Sequence, residues 1–246
     1  MKNARLILTI TVLTILVFSR CGDLTQENVT YMEVTIGKQI WMSENLFIDK
    51  FRNGELIPEA KTEEEWKLAG INKQPAWCYY DNDTSNGSLY GKLYNWYAVN
   101  DPRGLAPKGW HIPSDGEWTA LTNSLGGTYS AGKKLKSKKF IDDGHKYYVS
   151  DDAQGFKFVD GSQIISKENW KVKANCNNES GFSGLPGGIR NKDGQFYNIG
   201  PVGHWWSSTD KGTTTAWCRS IQNDDDYLLV NYIEENYGLS VRCIKD

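Results

Sequence analysis

The chain has 246 residues, with 28 Lys+Arg against 30 Asp+Glu and a formal net charge of -2. So even a balance supplies no global basic field, which argues against nucleic acid as a partner. Aromatic residues make up 13%, with 10 Trp and 13 Tyr beside 24 Gly, a mixture that suits short strands and loops around bulky anchors rather than a helix bundle.

The chain opens on Met1-Lys2-Asn3-Ala4-Arg5, a basic start, followed by an apolar run from Leu6 to Phe18. That run is shorter than the ~20 residues a membrane-spanning helix needs. A basic start before a short apolar run is the pattern of a secretory signal peptide, read over residues 1–20. Cys21 then stands where a bacterial lipoprotein is cleaved and acylated, although Arg20 departs from the small residue usual before that cysteine. A lipid on Cys21 would hold the mature chain at a membrane without spanning it. The expected location is therefore outside the cytoplasm, lipid-anchored in the cell envelope at the outer membrane or cell surface. Residues 21–30 are polar and unpatterned, as a tether would be.

Folding signals begin after residue 30. Val34 and Ile36 alternate with polar neighbours, Gly37-Lys38 supplies a turn, and Ile40-Trp41-Met42 resumes, which reads as a β-hairpin. Thr62 and Glu65 stand three apart as a capping box, opening a helix through Trp66 and Leu68 that Gly70 is expected to end. A loop over Asp81 to Gly87 follows, then an aromatic run from Tyr90 to Tyr97. Ser114 and Glu117 form a second capping box for a helix over about 114–125. Trp118, Leu121 and Leu125 share one face of it, and Gly126-Gly127 stops it. Lysines 133, 134, 136, 138 and 139 read as a solvated helix end or loop.

Beyond this point the chain is rich in Gly, Asn, Asp and Ser, with short apolar runs such as Phe156 to Val159. Short strands are expected at 196–199, 205–207, 216–221, 227–232 and 239–244. The plan is α+β: short antiparallel sheets, two short helices and a long loop-rich second half, with residues 31–246 as a single domain.

The chemistry-bearing residues are sparse. Of three histidines, His111 lies in the Gly109-Trp110-His111 turn, where its ring is expected to bond a backbone group. No nucleophile elbow surrounds a serine, and no Gly-rich phosphate cradle occurs. Asp81, Asp83 and Ser85 begin like a calcium loop, but Asn86 stands where that loop needs glycine and Lys92 where it needs glutamate. Asp224, Asp225 and Asp226 form an acidic tip, more ordinary as a turn than as a metal site. A structural Ca2+ is the one cofactor this tip could take; otherwise no cofactor is expected.

Cys78, Cys176, Cys218 and Cys243 make an even set that is compatible with two disulfides in an exported chain, with three possible pairings. No C-x-x-C or Cys/His spacing suggests zinc. Trp205 and Trp206 would point to opposite faces of a strand, one in the core and one available to a ligand. Tyr227, Tyr232 and Tyr237 fall in the late, loop-rich part, where recognition usually resides.

Five stretches together carry a family resemblance. They are Thr35 to Leu46; Trp77 to Asp83 with Tyr90 to Trp96; Ala106 to Trp118; Asn178 to Arg190; and Trp205 to Thr209 with Leu239 to Cys243. In this order they resemble the Fibrobacter succinogenes major paralogous domain, a family of exported bacterial proteins. That family looks like a branch of the C-type-lectin-like fold, with a Pro-rich turn and Glu-Trp helix similar to those of the sulfatase-modifying factors. The resemblance implies N- and C-terminal strands that pair, with Trp110, His111, Ser114, Glu117 and Trp118 as a structural motif. It also suggests Cys78–Cys243 and Cys176–Cys218 as the disulfides. The close cysteine pair of the formylglycine-generating enzymes and the calcium-loop tripeptides of sugar-binding C-type lectins are both missing. The leading expectation is a non-catalytic module that recognises glycan or protein, in adhesion or scavenging. A structural envelope protein is the alternative, and a formylglycine-generating-type enzyme ranks last.

Overall fold

The structure, a computed structural model, describes residues 30–137, 177–222 and 225–246. Cys21, Cys176, Asp224, the signal segment, the tether up to residue 29 and the Phe156 to Val159 run lie outside the described residues. The opening hairpin forms as its alternation demands. Strand β1 (Glu33–Ile36) pairs antiparallel with β2 (Gln39–Met42) in the register Val34↔Trp41 and Ile36↔Gln39. The turn between them needs Gly37, which sits at φ 62 with its Cα against Ser124.

Helix α1 (Glu63–Ile71) starts with the reciprocal box: Thr62 accepts from the Glu65 N–H, and Glu65 accepts from the Thr62 N–H. It does not stop at Gly70, which lies inside the helix and is buried. A side chain at Gly70 would strike Asn236, so this glycine permits close packing rather than ending the element. Strands β3 (Trp77–Cys78) and β4 (Leu93–Tyr94) pair and flank α2 (Thr84–Tyr90), which Asp83 caps by accepting from the Ser85 N–H. The stretch read as a loop therefore contains a helix. Its Asn86 and Gly87 are buried rather than apolar, and so leave no hydrophobic period in the sequence. A short α3 (Trp96–Val99) follows, capped by Asn95.

Strand β5 (Trp110–His111) leads into α4 (Asp115–Ser124), whose capping box forms as expected. The glycine pair at its end takes φ 94 and 90, but it links α4 to a further helix, α5 (Thr128–Leu135). The described residues thus hold five α-helices where two were expected. Helix α5 escapes a sequence reading because its N-cap is Gly127, with no capping side chain.

The second half gives β6 (Gly187–Arg190), β7 (Phe196–Ile199), β8 (Val202–Asp210), β9 (Thr215–Gln222), β10 (Leu229–Glu234) and β11 (Ile244–Lys245). The sheets run β1-β2-β11-β5, β10-β9-β8, β3-β4 and β6-β7, with antiparallel pairing throughout. The closing strand is central to the first sheet: Ile244 pairs with both Trp41 and His111. The two ends of the fold are therefore stitched together.

Among the described residues three apolar clusters fill the interior. Strand β8 separates two of them, with Trp205 in the one around Trp41, Trp118 and Phe182, and Trp206 in the one around Tyr94, Trp96 and Trp110. Trp118 fixes α4 by packing 4.8 Å from Trp41 and donating its indole N–H to the Trp206 carbonyl at 3.3 Å. Full burial of so large a side chain contributes roughly 1.5–3 kcal/mol or more. No helix among the described residues is long and apolar enough to cross a membrane.

Candidate functional site

A cleft of about 690 Å³ opens where six pieces of chain meet. Ser43, Glu44, Asn45 and Phe47 come from the segment after β2, and Gly87 to Leu89 with Gly91 from α2 and its end. Asn178, Ser183 and Leu185 come from the loop before β6, with Arg242 just before β11. Met32 and Ser137 complete the lining. Several of the stretches that carry the family resemblance converge on this one place.

Asn45 is the hub of the floor. Its Oδ1 accepts from Trp205 Nε1 at 2.8 Å and from Arg242 Nη2 and Nε at 2.8 and 3.2 Å. Its Nδ2 donates to the Tyr90 carbonyl at 2.7 Å, tying the end of α2 to the same point. Gly91, at φ 81, lets the chain pass against Asn45, where a side chain would collide. Arg242 is fully buried, and its Nη1 donates to the carbonyls of Met42 and Phe182 at 3.0 and 2.5 Å. Its guanidinium also stacks 4.1 Å from the Phe182 ring. It has no carboxylate within ion-pair distance among the described residues, and burial lowers its pKa from the usual arginine range to about 9.

The walls differ from the floor. Phe47 is 50% exposed and Met32 61% exposed, while Glu44 lies exposed at the mouth without a hydrogen bond or ion pair among the described residues. Behind Phe47 the ammonium of Lys92 sits 3.4 Å above the Trp77 ring and 5.1 Å from the Phe47 ring. Burial lowers the Lys92 pKa to about 8, against the opposing pull of Asp49 and Glu59. The Phe47 and Tyr79 rings, 6.0 Å apart, close over Gly87, where even a methyl group would meet Tyr79. On the opposite rim Asn178 and Ser183 adopt φ 45 and 54. The Asn178 amide accepts from the Ser183 N–H and donates to its hydroxyl, both at 2.9 Å. Such backbone strain persists where surrounding bonds over-determine it, as at ligand clamps.

The sequence-predicted residues fall elsewhere, with one exception. Trp205 and Trp206 do alternate in direction, but both are fully buried, because each face of β8 packs on a core. Neither is available for stacking; Trp205 serves the cleft from beneath, through Asn45. Eight of the nine described tryptophans are buried, Trp217 being the exception, so tryptophan in this chain is mainly a core residue. Tyr237 is also buried, at the hairpin end beside Leu239. Tyr227 and Tyr232 are exposed at 40% and 37% but lie away from the cleft, packed edge-on against Tyr129 and Trp217.

Asp225 Oδ1 accepts from the Tyr227 N–H at 2.9 Å, which is turn geometry, and Asp226 is half-buried beside it. No group of three or more metal-ligating side chains occurs among the described residues. Cys78, Cys218 and Cys243 are free, buried thiols, each pushed up to about 12 by burial. The expected Cys78–Cys243 bridge is not formed. Cys78 lies on β3 in the core around Trp66, whereas Cys243 leads into β11, which pairs with β2 and β5 instead.

The Trp110 to Trp118 motif is structural in its packing, with Trp110 and Trp118 buried. His111 differs from expectation: its ring meets two carboxylates, Glu117 and Asp246, rather than a backbone group. Neither His111 nor His204 lines the cleft. His204 is fully buried with its Nδ1 3.0 Å from Ser220 Oγ, and burial lowers its pKa to about 3. Sequence reasoning missed Asn45, Phe47 and Arg242 as a site. Asn45 and Arg242 fall in stretches that carry the family resemblance, but nothing in a linear sequence shows that residues 45 and 242 touch.

Residues 34–245 match the model of the Fibrobacter succinogenes major domain, and the chain belongs to that family. No curated protein and no solved structure matches it.

Proposed function

We propose that this chain is a non-catalytic recognition module of the cell envelope and that its cleft takes a glycan. The observation that carries the reading is the pairing of a half-exposed Phe47 ring with a polar rim, over a floor whose polar groups are already hydrogen-bonded. An aromatic face stacks on the C–H face of a sugar ring, while hydroxyls and carboxylates such as those of Ser88 and Glu44 suit its hydroxyl groups. A rigid floor lowers the ordering cost of binding. The charges at the cleft, Arg242 beneath and Glu44 at the mouth, oppose one another, which favours a ligand of little net charge.

A C-type-lectin-like arrangement is part of this reading, supported by the closing strand inserted between β2 and β5. Export and acylation at Cys21 rest on residues 1–21. The test is a glycan and peptide array probed with residues 30–246, wild type and Phe47→Ala, with and without calcium. Binding to a set of glycans, weakened about tenfold or more by Phe47→Ala, is the expected result. Silence across a broad array overturns it, and a response confined to peptides replaces glycan with protein as the ligand. Metabolic labelling with a lipid precursor tests the anchor: Cys21→Ala should abolish incorporation.

A further inference from the structure

Away from the cleft, His111 is held in a way that a neutral histidine cannot satisfy. Its Nδ1 lies 2.8 Å from Asp246 Oδ1, and its Nε2 lies 2.8 Å from Glu117 Oε1. A neutral imidazole has one N–H, whereas an imidazolium has two. Two ionised carboxylates can only accept, so this geometry requires both ring nitrogens to donate. The fold sets the arrangement up: β5 pairs with β11, placing His111 opposite Ile244, while α4 begins four residues beyond His111.

The other charged groups on these elements are committed elsewhere. Asp115 on α4 pairs with Arg219 at 2.6 Å, and Lys245 on β11 pairs with Glu33 at 2.6 Å. Arg52 reaches the neighbouring Trp110 carbonyl, and Gln39 donates to the Glu117 backbone carbonyl. Glu117 and Asp246 are therefore the charges that His111 answers.

We propose that His111 is a proton-operated clasp, which holds Asp246 and the end of β11 to the first turn of α4 and releases them as pH rises. The two carboxylates are not equivalent. Glu117 has other holds, because its Oε2 accepts from the Ser114 N–H and hydroxyl, both at 2.8 Å. Asp246 is held through the histidine and through its backbone N–H to the Gly109 carbonyl at 3.1 Å. On losing a proton the ring keeps its single N–H toward fixed Glu117 and turns a lone pair toward Asp246, so this end of the clasp opens.

The direction of the titration agrees. Burial works against the charged ring, but the hydrogen bonds to Glu117 and Asp246 outweigh it and raise the His111 pKa above its ordinary value. A raised folded-state value means that the stabilisation is complete below the ordinary histidine pKa and is lost as pH climbs through the folded one.

NMR titration of the histidine ring signals, with amide exchange at Asp246, tests this. His111 should titrate above about 6.5, the unperturbed histidine value. Protection of the Asp246 amide, corrected for the intrinsic pH dependence of exchange, should fall several-fold across the same range. Asp246→Asn, a near-isosteric change at an exposed side chain, should lower the His111 midpoint and flatten the exchange profile. A His111 midpoint at or below the ordinary value overturns the proposal, as does an exchange profile that Asp246→Asn leaves unchanged.

Discussion

Among the described residues three arginines are completely buried, and two regions, the cleft floor and the start of α4, answer that charge by opposite means. Under the cleft, Arg242 has no carboxylate partner among the described residues and is held by the Met42 and Phe182 carbonyls and the Asn45 amide. At the start of α4, Arg219 meets the carboxylate of Asp115 at 2.6 Å, and His111 joins Glu117 and Asp246 close by. The first region is a set of neutral dipoles locked around one charge. The second holds two separate sets of ion pairs, both anchored on the first turn of α4, with a solvent-facing side. Arg190 repeats the first device far from the cleft, donating to the carbonyls of Ala60, Thr62 and Gly194. Arginine tied to carbonyls is thus a cross-link in this fold rather than a reader of ligands. The proposed recognition is assigned to the cleft walls, and the proposed pH sensitivity to the α4 end.

The comparison is broken most directly at Asn45. Asn45→Ala strands the Trp205 indole N–H and two donors of the Arg242 guanidinium in the interior. Leaving buried donors without an acceptor costs about 1–3 kcal/mol each, and more when they are charged. An overall loss of about 3–5 kcal/mol in urea unfolding is expected. A loss under about 1 kcal/mol would show that the floor is not the rigid element described above.

At the other region the matching change is Asp115→Ala, which deprives Arg219 of its carboxylate. Asp115 retains 32% side-chain exposure, so water can take over part of its role. The penalty should be smaller, about 2 kcal/mol in the same measurement, after discounting the 3–5 kcal/mol of a fully buried broken pair. If it equals that of Asn45→Ala, the distinction between dipole-held and ion-paired arginine has no energetic content.

A third change sharpens the contrast through pH. Ser114→Ala removes the cap of α4 and should cost about 1 kcal/mol at neutral pH. Glu117 is held below its usual carboxylate value; burial opposes this, and its bonds to Ser114 and His111 prevail. A lowered folded-state pKa gives stability that is present above the ordinary carboxylate range and is lost as pH falls through the folded value. The deficit of Ser114→Ala should therefore shrink at pH 3, whereas that of Asn45→Ala, which involves no carboxylate, should not.

These two regions also differ in how far the sequence disclosed them. Both capping boxes, the opening hairpin and the buried face of Trp118, Leu121 and Leu125 are local patterns, and the structure contains them. Pairing of the closing strand with the opening hairpin followed from the family resemblance, and Ile244↔Trp41 realises it. What stayed hidden depends on tertiary neighbours. Trp205 and Trp206 look like a ligand platform until both faces of β8 are seen to be covered. Gly70 looks like a helix stop until Asn236 is seen against it. The Asn45–Arg242 hub joins residues 197 apart, and no periodicity encodes such a contact.

The smallest expected effect on stability falls on the residue to which the proposed binding assigns the largest part. Phe47 keeps half its surface in water and lies outside the three apolar clusters. Phe47→Ala should change unfolding free energy by less than about 1 kcal/mol, near the range for substitutions away from the core. A natural core Phe→Ala change costs about 3–5 kcal/mol, so a large loss would place Phe47 in the framework with Arg242 instead of on the wall. Removing the ring also uncovers the Lys92 ammonium, now lodged against Trp77 and Phe47. Its pKa, which burial holds at about 8, should rise toward the ordinary lysine value as water enters. Observing that rise by NMR of the lysine ammonium, with unfolding energy nearly unchanged, would separate the cleft wall from its floor at single-residue resolution. A Lys92 value that stays put would mean that Trp77 alone shields the amine and that Phe47 stands free of it.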